Sequence, residues 1–167
     1  MKEFLRLFYL PTSQIRLLIK ISAACAKWGL PGKALSIVLD NLLLMLYSME
    51  VTSASLRINR LVVGHSTGVV LGGNGIACSG TLHVSSGVVF GRRYGNDSRT
   101  LLDAMPSEET AFFSIKGDLT VGANSVLLGP LKIQGPVIIG AMSLVTHDIL
   151  EPGVYVGIPV KKIKELV

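Results

Sequence analysis

The run of aliphatic residues that begins at Ile115 constrains this chain more than any other feature. Ile115, Val121, Leu127, Ile133, Ile139 and Val145 follow one another at intervals of six without a miss. A helix repeats its faces every 3.6 residues and a strand every two, so neither by itself requires a step of six. A β-solenoid does, when each turn is a triangular prism and each hexad supplies one short strand. The aliphatic residue points into the prism and small residues turn the corners. Gly122 and Gly140 hold the second position of their hexads, and Ser125, Val137 and Ser143 hold the fifth. Upstream, Val51, Val63 and Val69 keep the step, with Arg57 as the polar exception. One added residue then shifts the frame to Ile76, Leu82 and Val88.

Composition agrees with repetitive β structure. Apolar residues make up 49% of the 167 and charged residues 16%, enough for a core, while aromatics are only 6% and glycines number 18. Residues 1–48 read differently, as a short helical region. Ile15, Leu18 and Ile19 recur at helical spacing, Leu30-Pro31-Gly32 breaks the chain, and a second helix is expected from Ala34 to Met49. The solenoid is expected over 49–167, interrupted by a polar loop at about 92–112 where the step of six fails. A loop that long inside a regular repeat points to function.

The net charge of +5 is scattered, with no basic block interleaved with aromatics, which argues against nucleic-acid binding. Cys25 and Cys78 form no spaced motif, and no secretion signal is evident, so a cytoplasmic protein is expected. The apolar run from Ala34 to Tyr47, interrupted by Asp40 and Asn41, reads as too short to span a bilayer. With Lys2, Arg6, Arg16, Lys20, Lys27 and Lys33 nearby, the helices are candidates for peripheral contact with the inner membrane. Packing against the rest of the molecule or a second subunit is the simpler expectation.

On the hexad run and the segment Val63-Gly64-His65-Ser66-Thr67-Gly68, the chain resembles the hexapeptide-repeat acyltransferases over residues 47–167. Within them it is similar to the serine acetyltransferase branch and its polysaccharide O-acetyltransferase relatives. The resemblance implies a mainly β, left-handed parallel β-helix that transfers acetyl from acetyl-CoA to a hydroxyl. It implies His65 as general base, in an HATG-like setting, with Glu50 fifteen residues upstream where serine acetyltransferases carry aspartate. An imidazole titrating near neutrality suits that task. His83 and His147 lack such a setting and read as structural or surface residues.

The resemblance further implies a coenzyme A groove along the solenoid between subunits of a homotrimer. Gly91, Ala123 and Ala141 match its small-residue positions, with a backbone N–H near Gly91 as oxyanion donor. Gly157-Ile158-Pro159-Val160-Lys161 resembles the family's closing segment, which would set Lys161 or Lys162 against the nucleotide phosphate. Serine acetyltransferases hold their substrate with an Arg-His pair where this chain has Ala111-Phe112. That departure favours a saccharide acceptor of a capsule, exopolysaccharide or lipopolysaccharide, with Phe112, Arg92 and Arg93 as substrate contacts. Serine O-acetylation is the alternative. A non-catalytic scaffold and a metalloenzyme like the γ-type carbonic anhydrases, which needs three converging histidines, stand further off.

Overall fold

The computed structural model describes residues 11–72, 75–93 and 111–166. Among the described residues two helices come first, α1 (Pro11–Cys25) and α2 (Gly29–Tyr47), and short strands follow. The expected break at Leu30-Pro31-Gly32 falls inside the first turn of α2. Trp28 is the N-cap, so Pro31 occupies a position whose N–H would be unpaired in any helix. Gly32 lets the helices meet: a Cβ there would lie 2.1 Å from the Cys25 carbonyl oxygen. Helix α2 is therefore nineteen residues long, and by length and composition alone it is apolar enough to cross a membrane, contrary to the sequence expectation.

The hairpin is tied to the strands through Asp40. Its carboxylate accepts from Ser22 Oγ at 2.7 Å, from the Ser53 backbone N–H at 2.9 Å and from Ser53 Oγ at 2.5 Å. Thr12 Oγ1 adds a bond to the Val63 carbonyl at 2.6 Å. These bonds join α1, α2 and the first turn of the solenoid.

Beyond Ser48 the chain winds as a three-sided prism of parallel strands. The first face stacks β1 (Met49–Val51), β3 (Val69–Leu71), β5 (Val89–Arg92), β8 (Val126–Gly129) and β11 (Leu144–Val145) in that order. Strands β2 (Leu56–Val63) and β4 (Ile76–Val84) bend over a corner and serve the second and third faces. Strands β6 (Phe113–Lys116) and β9 (Leu131–Gln134) continue the second face. The third is continued by β7 (Leu119–Val121), β10 (Val137–Ile139) and β12 (Gly153–Gly157). A last strand, β13 (Val160–Lys164), folds back antiparallel on β12 and closes that end.

Three columns of inward side chains make the core. They are Val51, Leu71, Phe90, Leu127 and Val145 on the first face, and Ile58, Cys78, Ile115, Ile133 and Ile149 on the second. Val63, Val84, Val121, Ile139 and Tyr155 form the third. All six residues of the run Ile115–Val145 are at most 2% exposed, as the step of six requires.

Upstream the step is less regular than expected. Val69 stacks in a second inward slot, two residues before Leu71, and Ile76, Leu82 and Val88 likewise precede Cys78, Val84 and Phe90. Arg57 points outward because Leu56 and Ile58 flank it in an alternating strand. The frame shift comes from corners of unequal length. Between the first and second faces the chain takes five residues from Val51 to Leu56 and four from Leu127 to Leu131, but departs on the long excursion from Phe90 to Phe113. Residues 94–110 of that predicted loop lie outside the described residues.

Candidate active site

The corner between the third and first faces has one backbone habit at every level. Ser48, Gly68, Gly87, Asn124 and Met142 each have a positive φ, from 50° to 70°. Gly68 N–H donates to the Ser48 carbonyl, Gly87 to Thr67, Asn124 to Ser86 and Met142 to Ala123, each at 2.8–2.9 Å. The corners thus stack into a continuous edge. Two serines at the fifth hexad position seal its inner side. Ser125 Oγ donates to the Gly140 carbonyl at 2.8 Å and accepts from Ser143 N–H at 3.2 Å, and Ser143 Oγ accepts from Gly157 N–H at 3.2 Å. Gly122 is required here, since a Cβ would lie 2.5 Å from the Ala141 nitrogen.

His65, Ala123, Ala141 and Gly157 all fall on this edge. The corner bearing His65 is longer than those above it. Six residues separate Val63 from Val69, against four from Val84 to Val88, Val121 to Ser125 and Ile139 to Ser143. The additional chain carries His65 into solvent, where it is exposed. Glu50 is exposed on β1, two residues beyond Ser48, and the Gly68–Ser48 bond sets the His65 corner directly on the turn leading into Glu50. Among the described residues the two side chains share no hydrogen bond. His83, read from the sequence as a structural or surface residue, faces the same corner: a Cβ on Gly64 would meet its Nε2 at 3.4 Å. Gly64 lies against β4 through the regular stacking of the third face, its N–H donating to the Val84 carbonyl as Ser85, Gly122 and Gly140 donate to the coils beyond. His147 is exposed at the other end of the first face, so the three histidines do not converge as a metal centre would need.

The remaining candidates gather at the corner between the first and second faces. Gly91 pairs with Leu128 in the ladder. The flanking amides of Val89 and Arg93 donate to Ser125 and Gly129 carbonyls of the neighbouring coil, at 3.0 and 3.1 Å. The alternation of a parallel ladder turns the Gly91 N–H the same way, so it is engaged in the sheet and does not suit an oxyanion. Phe112, expected to meet a sugar, is only 3% exposed. It packs edge-on against Phe113 at 5.3 Å, and the Arg92 guanidinium lies 5.8 Å over its ring. Arg93 donates to the Thr146 carbonyl. Within one chain, this group is not brought to the His65 edge.

At the closing hairpin the two lysines separate. Lys162 donates to Glu151 at 2.9 Å and reaches Glu165 at 3.4 Å. The Glu151 hydrogen bond raises its pKa above the ordinary lysine value, and its charge is already matched. Lys161 is exposed and makes no ion pair among the described residues, which leaves it the better anion contact.

No protein-family profile matches the chain. It is similar to a serine acetyltransferase of Buchnera aphidicola, 26% identical over 139 residues, 83% of this chain and 49% of that protein. It thus spans about half the length of that curated relative. Among solved structures it resembles the serine acetyltransferase of Brucella abortus in complex with coenzyme A, with a TM-score of 0.73 and 19% identity over 95% of this chain and 58% of the other. The serine complex of the Neisseria gonorrhoeae serine acetyltransferase gives 0.69 and 24% over 95% and 59%. The chain has the left-handed parallel β-helix fold of the serine acetyltransferases.

Proposed function

We propose that this chain is an acetyl-CoA-dependent O-acetyltransferase in which His65 removes the acceptor hydroxyl proton. The observation that carries the reading is the continuous edge from the His65 corner to the Gly157 turn. It offers an exposed imidazole at one end, small residues at Ala123 and Ala141 along its length, and the exposed Lys161 beyond. Acetyl transfer needs such an arrangement: a base at the thioester, a narrow track for the pantetheine arm and a cation for phosphate. His65 takes the proton as the hydroxyl oxygen attacks the acetyl carbonyl. The imidazolium then returns a proton to the departing thiolate, and Glu50 steadies the charged ring.

Serine is the acceptor to which the similar proteins' names point, and the serine complex among them supports it. One observation favours a saccharide as a second reading. Ala111 and Phe112 stand where the resemblance has an Arg-His pair, and both are buried, so neither holds an amino-acid carboxylate. The separation of the two corners supports a homotrimer, in which the His65 edge of one copy meets the Arg92 corner of the next. Thiol release from acetyl-CoA, measured with serine and with neutral oligosaccharides, tests the assignment. Turnover confined to serine removes the saccharide reading. No turnover with either, together with no thermal shift on adding coenzyme A, removes the enzyme and leaves a scaffold.

A further inference from the structure

The helical hairpin turns its apolar side outward. Helix α2 buries only Gly32, Ser36 and Leu43, while Leu30, Ile37, Val38, Met45 and Leu46 are 62–84% exposed. On α1, Ile15 and Ile19 face the solenoid while Leu17 and Ile21 are more than 40% exposed on the opposite side. Trp28 stands at the hairpin tip, 72% exposed. A continuous apolar surface of this kind marks an interaction site.

Charge says what covers it. Residues 11–48 carry Arg16, Lys20, Lys27 and Lys33 against a single acid, Asp40. Asp40 is engaged with Ser22 and Ser53 on the inner side of the hairpin. The lysines are exposed: Lys20 lies in the second half of α1, Lys27 in the turn after it and Lys33 in the first turns of α2. Arg16, Lys20 and Arg60 line a groove of about 430 Å³ between α1 and β2, with Ile19, Leu56 and Leu61 in its walls. Among the described residues no carboxylate pairs with these cations. An apolar surface with a tryptophan at its tip and an unmatched basic margin has the chemistry of an interfacial helix. A second copy laid on the same surface would bring the basic margins together.

We propose that the α1–α2 hairpin docks in the plane of an anionic lipid surface, with its apolar side among acyl chains and its lysines at the headgroup phosphates. The bonds of Asp40 to Ser22 and Ser53 hold α2 against α1 and the solenoid, so it lies along the membrane rather than through it. The proposal is independent of the acetyl-transfer reading and is tested without turnover.

Trp28 is the only tryptophan and reports directly on the surface. Vesicles of phosphatidylcholine with phosphatidylglycerol should shift its emission to the blue and sediment the full chain, and added salt should release it. Lys27→Glu combined with Lys33→Glu should weaken this partition roughly tenfold or more without changing the melting temperature. Trp28 emission that ignores anionic vesicles overturns the proposal, as does equal partition into pure phosphatidylcholine. A homo-oligomer that shields Trp28 from vesicles and dissociates on Met45→Glu overturns it in favour of a second copy. The wild-type fluorescence result stands even where a variant fails to fold.

Discussion

His65 is exposed and packs in no core column, so its removal should cost function and not folding. His65→Ala is expected to lower kcat roughly 10²–10⁴-fold with an unchanged melting temperature, measured by thiol release and calorimetry. Glu50→Gln should cost less, because an amide still orients the ring while failing to balance its charge. Met142 gives the opposite kind of residue-level prediction. Its φ of 57° is a conformation that costs L-residues about 1 kcal/mol or more, so Met142→Gly should raise the melting temperature by about 2–4 °C. The structure sets both candidates that the sequence offered, His65 and Glu50, exposed at one end of the corner edge. The burial of Phe112 was not legible in the sequence, because it depends on Gly129, against which its ring lies, and on Phe113 beneath it. The nearness of His83 to Gly64 was hidden for the same reason: it is set by the pairing of different coils.

Asp40 is the joint between the helical and β parts. Asp40→Ala removes the acceptor of the Ser53 N–H and hydroxyl, while Ser22 keeps the Ser36 carbonyl, and should cost about 2–3 kcal/mol, read from urea unfolding. The closing hairpin makes a second test. Lys161→Ala should raise KM for acetyl-CoA at constant melting temperature, whereas Lys162→Ala should loosen β12–β13 and leave KM nearly unchanged. Because Glu151 raises the Lys162 pKa, that pairing supports the fold below the ordinary lysine pKa and fades as pH climbs through the raised value. Lys162 is well solvated, so salt should erase most of the effect. At this scale the sequence was read well where the hexads were regular and less well at α2. Leu30-Pro31-Gly32 carries the usual signs of a break, yet proline fits a first helical turn and the glycine serves helix packing.

For the whole molecule, stability runs along the prism axis, each coil resting on its neighbours. Leu127→Ala removes a side chain between Phe90 and Val145 in a five-residue column and should cost about 2–5 kcal/mol by calorimetry. The prism itself was visible in the spacing of Ile115 to Val145, since one face per hexad leaves few other ways to bury them. Which candidates share a corner was not, because corner lengths decide it and differ from 51 to 113. Successive corners at His65, Gly87, Asn124, Met142 and Gly157 are separated by single strand spacings of about 4.8 Å, so His65 and the terminal turn stand about 19 Å apart along the axis. The number of coils therefore acts as a gauge for the length of whatever lies between them. Excising residues 122–139 would shorten that gauge by one division while rejoining Val121 to a glycine, selecting for a shorter ligand without touching either end.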